Sequence, residues 1–377
     1  MDFSLNDEQR QLKDSVERFV RDQYSFDKWR KTIASSLGYS ADNWRQMAEL
    51  GWLGVSLPEA DGGLGGTPIE TLVIMEGIGR GLVVEPYLST VVLGGGFLSR
   101  GGSAAQKQEL LPKLIEGGLK LAFAHAEHKS RYLLQDVATT AKADGGGYVL
   151  NGKKIVVFDA PSADKLIVSA RTGGSARDAK GISLFLVDNN AKGLTRLDFR
   201  TLDHRRAADV TLENVKVDAA AMIGAKDAGL PLIEAVVDQA INALAAEAVG
   251  AMQVLCDTTN EYLKTRKQFG VAIGSFQALQ HRMVDIWIAL EQARSMSYMI
   301  AIKLSEADAT DTARAAAAAK VQAGQSGRFV GQQAVQLHGG MGMSDELNVG
   351  HYMKRLMMID MLFGNADYHR QRFVAMN

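Results

Sequence analysis

From Leu230 to Arg266 the sequence holds an apolar, alanine-rich run whose one glycine is Gly250 and whose one proline is Pro231. A first helical turn tolerates proline because the missing N–H has no partner there anyway, so the run reads as a single long helix. Phe276–Glu306, Asp311–Leu337 and His351–Val374 carry three more helical patterns. Four long helices with short connections pack as a bundle. Only 6 prolines against 38 glycines fit long helices joined at glycine-bearing corners.

The chain before this bundle has two textures. Leu12, Val16, Phe19 and Val20 recur at helical spacing behind Ser4 or Asn6 as N-cap. Helical patterns continue through Ala41–Leu50, Thr67–Gly81, Val91–Gly102 and Ala105–Glu116. From Leu119 short β-type runs replace them: Leu121–Ala126, Asp136–Ala143, Tyr148–Leu150, Lys154–Phe158, Lys165–Ala170, Ile182–Val187 and Val210–Val217. Asp144–Gly147 and Asn151–Gly152 read as the turns between them, Asn-Gly being a strong hairpin signal. With no βαβ alternation a Rossmann fold is excluded. The expected architecture is α+β and multidomain: an N-terminal helical domain (1–118), a middle antiparallel β domain (119–226) and a C-terminal four-helix bundle (227–377).

Composition narrows the function. A net charge of −1 gives no bulk attraction to nucleic acid or an anionic membrane, and no apolar run reaches membrane-spanning length. Cys256 is the single cysteine, so no intrachain disulfide forms and a reducing cytoplasm is expected. No Cys/His metal spacing, Gly-x-Ser-x-Gly elbow or P-loop is present; no metal is expected.

One stretch remains distinctive, Arg266–Gln280, RKQFGVAIGSFQALQ, followed downstream by Gln336–Gly342, QLHGGMG. RKQFG…IGSFQ resembles the helix corner of the acyl-CoA dehydrogenase family, and the helical–β–helical order fits the same family. The resemblance implies FAD as cofactor. It places Arg266 at the FAD pyrophosphate and Phe269 beside it, with Phe276 and Gln277 toward the adenine side. Gln336, Gly339 and Gly340 would reach the FAD of a neighbouring subunit; His338 between them reads as a packing residue. In the β domain Phe123 and Phe158 fall on flavin-side strands, FAHAE and NGKKIVVFDA. There the family's usual threonine is Ala126, and aromatic and hydroxyl positions have become Val156 and Phe158. Asp238 falls where the family can touch the CoA moiety.

The family's reaction removes an α-proton with a carboxylate while the β-hydride leaves to flavin N5. Aligned on Gly364, the usual base position is Phe363; the minority position, counted back from Arg266, is Ala240. Glu247, two turns beyond Ala240 and isolated in ALAAEAVGAM, is the carboxylate best placed to serve. The bland alternative is a glutamate paired with an arginine of a neighbouring helix. Three functions follow. The first is an FAD-dependent acyl-CoA dehydrogenase using Glu247, passing electrons to an acceptor flavoprotein. The second is a base-lacking subunit in a mixed complex, as LFGNADYH resembles pimeloyl-CoA dehydrogenase small subunits. The third is a same-fold flavoprotein acting on a non-thioester or serving as a structural partner. A homotetramer or a mixed tetramer is expected.

Overall fold

A computed structural model describes residues 4–306 and 308–376. The N-terminal helices are α1 (Asp7–Gln23), α2 (Phe26–Ala34), α3 (Ala41–Glu49), α4 (Pro68–Gly81), α5 (Gly96–Gly101) and α6 (Ala104–Ile115), with a π-helical stretch at Leu88–Gly95. Capping boxes start α1 at Asn6 and α4 at Thr67, where each cap and its N3 partner satisfy two otherwise orphaned N–H groups. The middle strands are β1 (Leu121–Ala124), β2 (Thr140–Asp144), β3 (Gly147–Phe158), β4 (Lys165–Arg171), β5 (Ile182–Asp188), β6 (Leu194–Arg200), β7 (Arg206–Asp218) and β8 (Met222–Ile223). After α7 (Gly229–Thr265) comes a small hairpin, β9 (Lys267–Gln268) and β10 (Val271–Ala272). The chain ends in α8 (Gln277–Glu306), α9 (Ala309–His338), α10 (Val349–Met361) and α11 (Ala366–Ala375). Helical, β, helical is therefore the observed order.

These elements form two compact units, each assembled from separated stretches. One comprises residues 32–66 and 84–240. Its sheet runs β6-β7-β3-β2-β4-β5-β8 with β1 beside β4. Pairing is antiparallel except for β1 along β4 and one β2–β4 pair. Alternating residues such as Leu150, Leu166, Val168, Phe185, Val187, Val210 and Leu212 bury one contiguous core.

The other unit comprises residues 1–31, 67–83 and 241–377. Its core includes Ile286, Leu290, Ile300, Ala316, Val330, Leu356 and Ile359. α4 and α7 approach closely through a reciprocal glycine contact. A Cβ on Gly79 would lie 2.0 Å from the Glu247 carbonyl oxygen, and one on Gly250 would lie 1.9 Å from that of Glu76. Only glycine at both positions allows this backbone-to-backbone packing. Arg294 on α8 supports the seam, reaching Glu76 at 2.8 Å and Gln253 at 2.7 Å.

Two local expectations are corrected. Asn151–Gly152 is not a turn: it lies inside the continuous strand β3, at a register shift against β7. Glycine is needed there because a Cβ would meet Thr139 at 2.4 Å. The pattern His351–Val374 is not one helix but two, broken at residues 362–365. Phe363 takes a left-handed φ of 56° and Gly364 a φ of 111°, which stops α10.

Candidate functional site

The corner after α7 owes its shape to its turn. Phe269 and Gly270 both have positive φ, 53° and 82°, which gives the tight two-residue connection of the β9–β10 hairpin. The turn lifts the Phe269 ring clear of the protein at 92% exposure, edge-on to the half-exposed Phe276 at 6.3 Å. Arg266 and Gln277 flank the two rings and are also exposed.

One turn before Arg266, Tyr262 stacks on His338 with centroids 4.3 Å apart, which brings the α7 end to the loop after α9. After α9, Gly339 and Gly340 have nothing within 4 Å of where a Cβ would stand, and Gln336 in the last turn of α9 is exposed. His338 is buried, its Nδ1 bonded to the Ala334 carbonyl at 2.8 Å, so it packs rather than faces solvent. The structure thus gathers Arg266, Phe269, Phe276, Gln277, Gln336, Gly339 and Gly340 on one unit. Exposed rings, a cation and open backbone suit a flat, anionic dinucleotide such as FAD. Phe269 and Met343 (80% exposed) leave large apolar side chains open on this unit.

The flavin-side strands expected from sequence belong to the other unit. Phe123 is buried on β1, its ring 4.6 Å from Phe97 and 5.0 Å from His125. Phe158 is half-buried at the end of β3. Beneath them lies a charged cluster that the sequence did not single out. The Lys154 ammonium, wholly buried, donates to Glu127 at 2.7 Å, Ser169 at 3.0 Å and the His125 carbonyl at 3.2 Å. Glu127 in turn accepts the N–H groups of Ala138 and Thr139. Burial pulls Lys154 down to about 8 against the opposing pull of Glu127. Burial would raise Glu127, but the ammonium outweighs it and holds that carboxyl below its ordinary range. His125, lowered to about 3 by burial and then by Lys154, is neutral at physiological pH. Through Glu127 and Lys154 the cluster links residues 125, 138 and 139, beside the segment's own backbone hydrogen bonds.

Of the positions considered for a base, Ala240 and Phe363 carry no ionisable group. Glu247 is buried, and both its oxygens are engaged by Arg355 of α10: Oε1 accepts from Nε and Oε2 from Nη2, each at 2.7 Å. This is the geometry of the bland alternative, a bidentate carboxylate–guanidinium pair. Asp238 is buried in its own unit. Arg355 carries no comparable signal in the sequence, since Lys354 stands beside it and Asp360 follows in the run HYMKRLMMIDM. Among the described residues no cluster of His, Cys, Asp and Glu is arranged to hold a metal ion.

Comparison with known proteins supplies the remaining context. Three family models match in succession: the acyl-CoA dehydrogenase N-terminal domain over residues 6–118, the middle domain over 122–215 and the C-terminal domain over 227–376. The probable acyl-CoA dehydrogenase YngJ of Bacillus subtilis (strain 168) is 30% identical over 375 residues, covering 98% of each chain. The crystal structure of the ChsE4–ChsE5 complex from Mycobacterium tuberculosis matches with a TM-score of 0.90 and 26% identity, over 100% of this chain and 98% of that one. The FAD complex of PigA matches with a TM-score of 0.92 and 27% identity, over 100% and 98%.

Proposed function

This chain belongs to the acyl-CoA dehydrogenase family, and on that premise we propose that it is a subunit of an FAD-dependent acyl-CoA dehydrogenase assembly whose α-proton base comes from a different chain. The observation that carries this reading is the bidentate Glu247–Arg355 pair. It commits the one carboxylate that stood in for the family's base, while Phe363 and Ala240 offer none. The match to ChsE4–ChsE5, itself a complex, and the likeness of LFGNADYH to pimeloyl-CoA dehydrogenase small subunits support a mixed tetramer.

In this reading Arg266 neutralises the FAD pyrophosphate and the Phe269 and Phe276 rings cover its nucleotide end. Gln336, Gly339 and Gly340 approach the FAD of a neighbouring subunit through open backbone. FAD held there would supply the acceptor for the β-hydride of an acyl-CoA, and an acceptor flavoprotein in the cytoplasm would take the electrons. The Lys154–Glu127 cluster ties the flavin-side loop to β3, and neutral His125 adds no charge to it.

The test is anaerobic flavin bleaching. Purified alone, the protein is expected to carry FAD and keep its yellow absorbance when acyl-CoA is added. Co-purified with an acyl-CoA dehydrogenase-like partner that has its own glutamate, it is expected to bleach. Bleaching by the lone chain that disappears in Glu247→Gln would reinstate Glu247 as base and defeat this reading.

A further inference from the structure

The break between α10 and α11 is held from beneath by side chains that nothing above has used. Lys320 on α9 is wholly buried, and its ammonium points at the end of α10. It donates to the carbonyls of Asp360 at 2.7 Å and Gly364 at 2.6 Å. His369 on α11, also buried, bonds the intervening carbonyl of Phe363 through Nε2 at 2.9 Å. Since a carbonyl only accepts, Nε2 carries the proton, and Nδ1 has no partner among the described residues. The Asp360 side chain completes the set, accepting the N–H of Ala366 at 3.1 Å.

A helix end normally leaves its last carbonyls to water or to a glycine-based cap. Here the Asp360, Phe363 and Gly364 carbonyls are instead bonded by buried nitrogen donors from two other helices. The arrangement needs room that only small residues leave: a Cβ on Gly324, one turn after Lys320, would lie 2.1 Å from Asp360 Oδ1. It also holds Phe363 in its left-handed conformation, which a free phenylalanine rarely adopts.

We infer that Lys320 and His369 are positioning residues for residue 363: by gripping the three carbonyls of the α10–α11 break they fix where that side chain sits. The catalytic consequence rests on the proposed function, in which position 363 is the vacated base position; the grip itself does not. The turn is then a preformed seat that lacks only its carboxylate. The charged and titratable groups around it are Asp360 from α10, His369 and Arg372 from α11 and Arg328 from α9, the last 3.7 Å from Asp360. Burial brings Lys320 down to about 7, opposed by Asp360, while burial and then Lys320 bring His369 down to about 3. Lys320 is therefore the group whose proton changes near neutral pH.

The experiment is fluorine NMR on the full-length, flavin-loaded protein labelled with fluorophenylalanine, with the Phe363 signal assigned by its loss in Phe363→Leu. In Lys320→Met the Phe363 signal is expected to move or broaden while those of Phe97 and Phe185 hold. His369→Gln, which keeps an N–H donor, is expected to leave it near the wild-type place, and His369→Phe to move it. An unmoved signal in folded Lys320→Met overturns the inference. If that variant does not fold, the wild-type titration decides. A Phe363 shift with a midpoint near 7 supports the grip. A flat response from about pH 6 to about pH 9 refutes it.

A second arm separates this inference from the proposed function. Phe363→Glu alone is expected to bleach its flavin with acyl-CoA, and adding Lys320→Met to slow that by about a hundredfold, the cost of a misplaced group. If Phe363→Glu stays yellow while the NMR arm behaves as expected, the base-position reading falls and the grip stands. If Phe363→Glu bleaches at the same rate with or without Lys320, the grip falls.

Discussion

Removing either partner of the Glu247–Arg355 pair is the sharpest test of what Glu247 does. Both side chains are almost fully excluded from water, at 1% and 3% exposure, and two parallel bonds of 2.7 Å join them. Desolvating two charges offsets most of their mutual attraction, so the intact pair adds little net stability. Breaking it is different, because the survivor is left charged and buried. Glu247→Leu and Arg355→Met are each expected to cost about 3–5 kcal/mol. The double variant Glu247→Leu with Arg355→Met removes both charges and is expected to recover to within about 2 kcal/mol of wild type. Urea unfolding followed by circular dichroism on all four proteins gives the coupling directly as a double-mutant cycle. Singles that cost less than about 1 kcal/mol, or a double as damaged as the sum of its parents, would refute the structural reading of the pair. So would a Glu247→Gln protein of normal stability that had lost flavin reduction in the mixed assembly.

Further outcomes follow from other parts of the same unit. Gly250→Ala places a Cβ 1.9 Å from the Glu76 carbonyl, so α4 and α7 must separate. A loss of about 1–3 kcal/mol in denaturant unfolding is expected, and a change below about 0.5 kcal/mol would show that the seam yields freely. Lys320 has a folded value of about 7 against 10.5 in the unfolded chain, so between these pH values the unfolded chain holds the extra proton. Stability should therefore rise with pH across that window, by about 2 kcal/mol from about pH 7 to about pH 9 relative to Lys320→Met. Parallel pH curves for the two proteins would contradict it.

Much of the architecture was legible because period and length spoke together. The runs that became α7, α8 and α9 are long enough for their helical spacing to be unambiguous, and the switch to short β-type runs after Gly118 set off the sheet. Asn151–Gly152 misled for a physical reason: the same dipeptide that suits a hairpin turn also suits a strand pressed against a neighbour, here Thr139. The break at Phe363 carried a local signal, Gly364 followed by the N-cap Asn365, which the apolar pattern of residues 351–374 masked, while the bonds of Lys320 and His369 to its carbonyls depend on the fold. The exposed corner was readable from Arg266, Phe269 and Gly270, whose order prescribes its turn. Glu247 was singled out correctly as an unusual charge, but a lone charge in an apolar helix announces only that a partner exists. Lys320, alone among alanines, sends the same message, and only the fold says who answers.

The glycines of the α4–α7 seam bear on how this protein can change over time. Each helix's carbonyl fills the space where the other's Cβ would stand, so the two cannot slide past one another or turn about their axes without collision. The seam works as a keyway. It sets the rotational phase of α7 at Gly250, less than one turn from Glu247, and so keeps the Glu247 side chain turned toward α10. Small backbone drift along α7 is therefore closed as a route to a new base. On the proposed function, a lineage that came to supply its own base would have to place its carboxylate on an element the key does not hold, and the turn at Phe363 is such an element.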